Sequence, residues 1–400
     1  MEKKGKVLVV NCGSSSLKYE VYSMPEEKSL GKGLAERIGE SKGMISQKSC
    51  GKVIKKECEM PDHITAFKHV IEFLTSQDCP IIKNVSEISS VGHRLVHGGE
   101  KYADSVVINN DVEKVIEENI ELAPLHNPAN LMGIRAAKNA FPDIPHVGVF
   151  DTAYHQTLPA SAYMYGLPRE YYTKYRIRKY GFHGTSHRYV AEQAVKLLKR
   201  SPDNTNIISC HLGNGASITA IENGKSIDTS MGFTPLAGLV MGTRSGDIDP
   251  QIIFYLAERG LSLKEISHTL NKKSGLLGLS GVSNDLRDLE LEAEKGNQKV
   301  IDALEVYAYS IRKYIGSYAA NLYKVDILVF TGGIGENGWR MRERICHRLE
   351  NLGIVMDYNK NREMGSKMGI ISEPYSHTAI AIIPTNEELQ IAKDAFALSY

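Results

Sequence analysis

The 400-residue sequence lacks several features that would place it at once. None of its six cysteines, Cys12, Cys50, Cys58, Cys79, Cys210 and Cys346, forms a CxxC pair, which argues against a zinc site. Cys12 and Cys210 lie in or beside apolar runs and read as small core residues of a reduced, cytoplasmic chain. No apolar run approaches the roughly 20 residues needed to span a bilayer. The charged start, residues 1–6, leads directly into a short apolar strand, too short for a signal-peptide core. A net charge of +1 offers no electrostatic footprint for nucleic acid or a membrane surface. A GxxxxGK[ST] phosphate loop is also missing. What is present is an ordinary globular composition and enough length for about two to three domains.

Two stretches organise the rest. Val7–Lys18 and Ile207–Ser217 each read as a buried strand, a glycine-bearing turn and a second strand. Both put small hydrogen-bonding residues where a backbone can approach phosphate closely. Aligning 7–22 on 207–222 superposes strand, turn and strand without a gap, with Gly13 on Gly213 as the one identity. This suggests two related halves, although any two βα proteins offer a similar match.

Elsewhere strands and helices alternate, which predicts an α/β fold. Residues 24–60 read as further short strands, 66–74 and 112–122 as helices, and 88–96 as a strand. Asn127-Pro128 is expected to cap and open a helix to about Ala140. The apolar strand 147–150 delivers Asp151 at its carboxyl end, where a domain junction is expected. Residues 163–180 read as irregular. Thr185 or Ser186 is expected to cap the next helix, and Asp249-Pro250 to start another. Ser262 with Glu265 forms a capping box. A long helix is expected over 298–323, strands over 326–330 and 379–383, and a last helix capped by Thr385.

The chemistry-bearing motifs each leave alternatives. Asn11 to Lys18 gathers an amide, the hydroxyls of Ser14, Ser15 and Ser16, and an ammonium on one hairpin. It is a phosphate grip or a solvated polar turn. Arg94 sits inside an apolar strand and needs an anionic partner. A substrate carboxylate, a phosphoryl group or an internal salt bridge would each serve. Asp151 follows a fully apolar strand, at the end that faces ligands in α/β sheets, or else caps a turn. His183 and His187 flank a helix start at i, i+4 spacing, but no third ligand set accompanies them. Arg244 is a loop cation, either solvated or aimed at phosphate. Residues 332–337 open a helix whose N-terminus can hold an anion, and are only loosely a GxGxxG run.

Together these residues resemble the acetate kinase family, within the acetate and sugar kinase/Hsp70/actin superfamily. The resemblance runs nearly end to end: NCGSSSLK at 11–18, GHRLVHGG at 92–99, FDTAYH at 150–155, GFHGTSH at 181–187, HLGNGAS at 211–217, GTRSGDIDP at 242–250, NDLRDL at 284–289, GGIGEN at 332–337 and PTNEEL at 384–389. It implies Mg2+-dependent phosphoryl transfer between ATP and acetate, with Mn2+ a substitute metal. It also implies a cytoplasmic homodimer of two-lobed subunits, each lobe a ribonuclease-H-like core facing a central cleft. The lobes would be 1–150 plus 385–400, and 151–384, the latter carrying the dimer interface. Carried over by position, Asn11 and Glu387 are the implied metal contacts. Arg94, Asp151, His183 and Arg244 are the implied catalytic groups. Lys18, Ser14, Ser16, His211, Leu212, Gly213, Asn214, Gly215, Asp285, Leu286, Arg287, Gly333, Ile334, Gly335, Glu336 and Asn337 are the implied ATP contacts. Arg94 with Val96, Leu125, Phe182 and Pro235 forms the implied acyl site. An apolar pocket beside a carboxylate clamp selects short acids, although one methylene is worth only about 1–3 kcal/mol. Propionate or butyrate kinases of the same family, a sugar kinase, and an ATPase switch on the same fold remain the alternatives.

Overall fold

The computed structural model describes residues 4–124 and 126–399. The chain divides into two compact units, Met1–Gln156 with Asn386–Tyr400, and Thr157–Thr385. The first break therefore falls six residues after the expected one at Phe150, and Asp151 stays with the first unit. The cause is local: the Asp151 amide donates to the Leu95 carbonyl at 2.8 Å, continuing the sheet beyond the strand end.

The first unit is built on an eight-stranded sheet of β1 (Gly5–Cys12), β2 (Ser16–Met24), β3 (Lys28–Glu36), β4 (Gly43–Ser49), β5 (Lys52–Cys58), β6 (Ile88–Leu95), β7 (Val106–Val107) and β8 (His146–Phe150). Their order is β5-β4-β3-β2-β1-β6-β8-β7. β1 to β5 pair antiparallel as a meander, β1, β6 and β8 pair parallel, and β7 returns antiparallel. Alternation along β2 places Leu17, Tyr19 and Val21 in a core closed by the helices His63–Leu74 and Asn127–Ala140. The final helix, Glu387–Leu398, packs against β1, β6 and β8.

The second unit holds β9 (Asn206–Leu212), β10 (Ala216–Glu222), β11 (Lys225–Thr229), β12 (Ile327–Thr331), β13 (Gly369–Ile370) and β14 (Ala379–Ile382). Their order is β11-β10-β9-β12-β14-β13. β9, β10 and β11 form an antiparallel meander, β9, β12 and β14 pair parallel, and β13 returns antiparallel. The helix Gly184–Leu198 and the long helix Gln298–Asn321 contact this sheet.

The two units thus share a core arrangement of three meandering strands, two parallel ones and an antiparallel edge, which β4 and β5 extend in the first unit. The gap-free alignment of the hairpins is one residue off, however. Cys12 pairs with Leu17, whereas Leu212 pairs with Ala216, so the first turn is one residue longer. Because strand faces alternate, this shift decides which side chains correspond.

Four local expectations change. Residues 163–180 contain a helix, Arg169–Tyr175. Asn127 is the first residue of its helix, not its cap. Its buried amide donates to the carbonyls of His97, Ile116 and Asn119 and so ties three segments together. The helix Gly184–Leu198 is capped by His183 in a left-handed conformation, φ +57°, with Thr185 and Ser186 buried inside it. Asn386, not Thr385, caps the last helix, its side chain accepting from the Leu389 amide at 2.9 Å.

Candidate active site

In the first unit the hairpin register sets Asn11 directly opposite Lys18 on the exposed end of β1 and β2. The turn between them is closed by the Gly13 amide donating to the Ser16 carbonyl at 2.8 Å. It is braced by the buried ring of His63, whose Nε2 lies 2.8 Å from the Gly13 carbonyl oxygen. Ser14 is exposed at the turn's tip and Ser16 half-buried. Asn11, Lys18, Arg94, Glu387 and Glu388 line one cavity of about 380 Å³.

Arg94 is the hub of that cavity. Parallel pairing of β6 with β8 brings Asp151 beside it, and the final helix adds Glu387 from its first turn. Arg94 Nη2 donates to Asp151 Oδ2 at 2.9 Å, and Nη1 lies 2.8 Å from Glu387 Oε2. Of the partners left open by the sequence, the internal ion pair is therefore present, and it is double. Burial opposes the guanidinium charge, but Asp151 and Glu387 outweigh it and hold its pKa above the usual arginine value. The Glu387 pKa is raised as well, which for a carboxyl disfavours the charged form. Burial raises its pKa and the Asp151 charge adds to this, with Arg94 opposing. A carboxyl poised in this way can lose its proton when further positive charge arrives.

Val96 follows β6, half-buried, its amide donating to Asn130 Oδ1 at 3.0 Å. The same Asn130 donates to the Cys12 carbonyl at 3.2 Å. It therefore locks the Val96 loop to the end of β1. Leu125 lies outside the described residues.

In the second unit the turn 213–215 is closed by the Gly213 amide donating to the Gly215 carbonyl at 3.1 Å. His183 and Arg244 converge on it. A Cβ at Gly215 would sit 3.3 Å from Arg244 Nη1 and 3.6 Å from His183 Nε2, so glycine leaves an open face beneath two nitrogen groups. Arg244 Nη1 donates to the Pro235 carbonyl at 3.2 Å, and burial lowers its pKa without nearby carboxylates to reverse this. Such a guanidinium gains most from an incoming anion. His183 stacks on His211, ring centroids 4.3 Å apart, and Phe182 is buried beside it in sequence. Asn214 is exposed, with its Oδ1 accepting from Asn284 Nδ2 at 2.9 Å. A Cβ on Gly242 would collide with that same Oδ1.

The remaining candidates form the rim of this unit's sheet. Leu212 ends β9, its side chain in the core. Asp285 caps the helix Leu286–Glu294, accepting from the Arg287 amide, and pairs with the exposed Arg287 side chain. Those bonds hold its carboxyl low, at about 2. Gly333, Ile334, Gly335, Glu336 and Asn337 lie in the short helix Gly332–Asn337 that follows β12. Gly332 there has φ +76°, and a Cβ would meet the Leu212 backbone at 2.7 Å. Glu336 Oε1 accepts from the amides of Gly332 and Thr385, at 2.9 and 3.1 Å, tying β12 to the segment after β14.

These observations can now be set against known proteins. The model of the Acetokinase family matches residues 6–393. The chain belongs to the acetokinase family. It is 55% identical to the acetate kinase of Thermoanaerobacterium thermosaccharolyticum, over 97% of this chain and 98% of the relative. Among solved structures it is similar to Porphyromonas gingivalis acetate kinase, with 47% identity, a TM-score of 0.96, and coverage of 98% of this chain and 99% of that one. It is also similar to a propionate kinase from Francisella tularensis, with 45% identity, a TM-score of 0.92, and coverage of 98% and 100%.

As a member of the acetokinase family, the chain carries its candidate residues in two sets. Asn11, Ser14, Ser16, Lys18, Arg94, Val96, Asp151 and Glu387 belong to the first unit; His183, Arg244, Phe182, Pro235 and the 211–215, 285–287 and 333–337 segments belong to the second. The described residues contain no cluster of three His, Cys, Asp or Glu side chains able to hold a metal alone. A hard divalent ion held by one or two carboxylates, a carbonyl oxygen and nucleotide phosphates does fit Glu387 and Asn11, which line one cavity. Sequence reasoning missed Asn130, Asn284 and Arg342. Arg342 is wholly buried, and its five N–H groups reach Gly335 O, Glu336 O, Asn361 Oδ1, Asn361 O and Gly365 O. Nothing local marks these residues, because partners of each lie far along the chain: Cys12 for Asn130, the Asn214 side chain for Asn284, and Asn361 and Gly365 for Arg342.

Proposed function

We propose that this enzyme transfers the terminal phosphoryl group of ATP to acetate, reversibly and in line, giving acetyl phosphate and ADP with Mg2+ as the metal. Membership of the acetokinase family makes it a phosphotransferase with a carboxyl group as acceptor, using ATP and a divalent metal. The carrying observation is Arg94, held within a strand between Asp151 and Glu387 and lining one cavity with Lys18 and Asn11. A guanidinium so fixed is suited to a small carboxylate.

A carboxylate is already ionised at neutral pH, so a strong base has little to do. The difficulty is joining two anions. Arg94 orients the acceptor carboxylate, and Lys18 meets nucleotide phosphate. His183 and Arg244 donate to the equatorial oxygens of the transferring group over the open face of Gly215. Asp151 holds Arg94 in place rather than taking a proton. Asn11 and Glu387 would hold the Mg2+ (or Mn2+), whose charge would lower the repulsion between the partners. The apolar side chain of Val96 is assigned to the acetate methyl, as are Phe182 and Pro235 of the second unit.

A second reading, propionate as the preferred acceptor, is favoured by the similarity to the Francisella tularensis propionate kinase. Incubation with MgATP, hydroxylamine and C2 to C4 acids discriminates the two. Acyl hydroxamate is expected in the order acetate, propionate, butyrate. A butyrate optimum sinks the assignment, and ADP release without hydroxamate points to an ATPase switch.

The second unit also supports a homodimer. The helix Gln251–Glu258 is mostly apolar yet has no buried residue, with Ile252, Phe254 and Tyr255 exposed and Leu263 beyond it 72% exposed. A second copy covering this face removes that surface from water. Sedimentation should give a dimer, and Phe254→Asp a monomer. Among the described residues no helix is long and apolar enough to cross a membrane.

A further inference from the structure

The i, i+4 pair His183 and His187 resembles a metal pair in the sequence, but the structure places a hydroxyl between the two rings. Ser217, on β10, is wholly buried, and its Oγ lies 3.0 Å from His183 Nδ1 and 2.8 Å from His187 Nε2. The other nitrogen of the buried His187 ring, Nδ1, lies 2.9 Å from Ser209 Oγ on β9. The fold dictates this row. Ser209 and His211 alternate onto one face of β9, Ser217 pairs with His211 across the hairpin, and the helix Gly184–Leu198 lays one turn over the same region. The His183 ring is fixed at its base as well. Its backbone is left-handed, φ +57°, a conformation that a residue other than glycine keeps only where surroundings over-determine it.

We propose that Ser217 and His187 are positioning residues that hold neutral His183 as the Nε2–H tautomer, so that its reactive edge is a hydrogen-bond donor. A hydroxyl has a single proton. Between two imidazole nitrogens it donates to one and accepts from the other. Run from the buried end, Ser209 donates to His187 Nδ1, His187 Nε2–H donates to Ser217, and Ser217 donates to His183 Nδ1. His183 then carries its proton on Nε2, the nitrogen that faces Gly215 and Arg244. Run the other way, neutral His183 is protonated on Nδ1 and presents a bare lone pair where an anionic phosphoryl group arrives. No proton is transferred along the row. Its direction alone selects which nitrogen donates. His187, wholly buried, takes the inner position, with Ser209 and Ser217 on its two ring nitrogens.

The idea rests on the phosphotransferase reading for its purpose, but its decisive readout needs no turnover. In the full-length protein labelled with 15N-histidine, the His183 resonances, assigned by their loss in His183→Gln, should show a protonated Nε2 and an unprotonated Nδ1. Ser217→Ala should leave a tautomer mixture at His183. In the hydroxamate assay Ser217→Ala should lower kcat by roughly 10- to 100-fold, as expected for loss of an orienting partner, with KM for ATP and acetate within about twofold. His187→Gln, whose amide nitrogen can replace Nε2–H, should keep the wild-type tautomer and most of kcat, whereas His187→Leu should lose both. A protonated Nδ1 in the wild-type protein overturns the proposal. So does an unchanged His183 tautomer in folded Ser217→Ala, or equal loss in His187→Gln and His187→Leu. If no acyl hydroxamate forms with any acid, the functional reading falls while the tautomer result still stands.

Discussion

The two units place different chemistry in the same topological slots. With the turn lengths corrected, the cross-strand pair Asn11 and Lys18 of the first hairpin corresponds to His211 and Ser217 of the second. Following the parallel register outward, Arg94 on β6 takes the slot of Thr331 on β12. Asp151 beyond β8 takes the slot of Thr385 beyond β14. One sheet end is therefore ionic, with Lys, Arg and Asp, and is completed by Glu387. The other is built of hydroxyls and imidazoles around glycines, with Arg244 converging on the turn. The lesson is that a parallel sheet supplies addresses at strand ends, while side-chain substitution decides whether an address carries ion pairs or hydroxyls and imidazoles.

The strongest way to break this contrast is to remove the hub of the ionic end. Arg94→Ala leaves Asp151 and Glu387 facing each other without their cation. Hydroxamate formation should fall by about 10³-fold in kcat/KM, and denaturant unfolding should show a lower midpoint, because two partly buried carboxylates lose their partner. Near-normal turnover would remove Arg94 from the reaction. In the second unit's site, Arg244→Ala should cost about 10²-fold, mainly in kcat. A change confined to KM would make Arg244 a binding group only.

Gly242→Ala tests the cradle itself. Its methyl collides with Asn214 Oδ1, so KM for ATP should rise by roughly tenfold or more while KM for acetate changes little. Equal changes in both constants would show that the loop is not specific to nucleotide. On the acyl side, Val96→Ala should raise propionate over acetate kcat/KM by about tenfold, the scale of one or two methylenes. An unchanged ratio would place the acyl pocket elsewhere.

The smallest effect concerns pH. Glu387 has a raised folded-state pKa, so its contribution to stability is complete below the ordinary glutamate value of 4.5 and is lost as pH rises toward and through the raised value. Glu387→Gln should therefore flatten the dependence of the urea midpoint between pH 5 and 8, and raise it at the upper end. An identical slope in both proteins would show that Glu387 titrates normally. The same titration predicts that wild-type metal dependence strengthens as pH rises over that interval, since the carboxylate is the metal-binding form.

Much of this was legible in the sequence. The alternation of strands and helices, the two glycine hairpins, the strand carrying Arg94 and the strand end carrying Asp151 all follow from periodicity of two and from apolar runs bounded by turns. Motif spacing and the family resemblance nominated the candidate residues. The misreadings were of a different kind. Thr385 and Ser186 are good capping residues on intrinsic preference, yet both hydroxyls are engaged with each other, 2.8 Å apart, while His183 and Asn386 take the cap positions. Local propensity offered the right residue types and tertiary hydrogen bonding chose among neighbours.

By itself, then, the sequence determined the α/β class, the elements and the residue types able to handle phosphate and carboxylate, because these depend on local backbone preference and side-chain chemistry. Only tertiary structure decided the partnerships. Arg94 meets Asp151 and Glu387, 57 and 293 positions away, because parallel strands and a returning C-terminal helix bring them together. Ser217 divides His183 from His187 because the three-residue turn 213–215 pairs it with His211 and so sets the face of β10 it occupies. Such pairings are absent from local sequence, because they depend on strand register and packing between elements far apart in the chain.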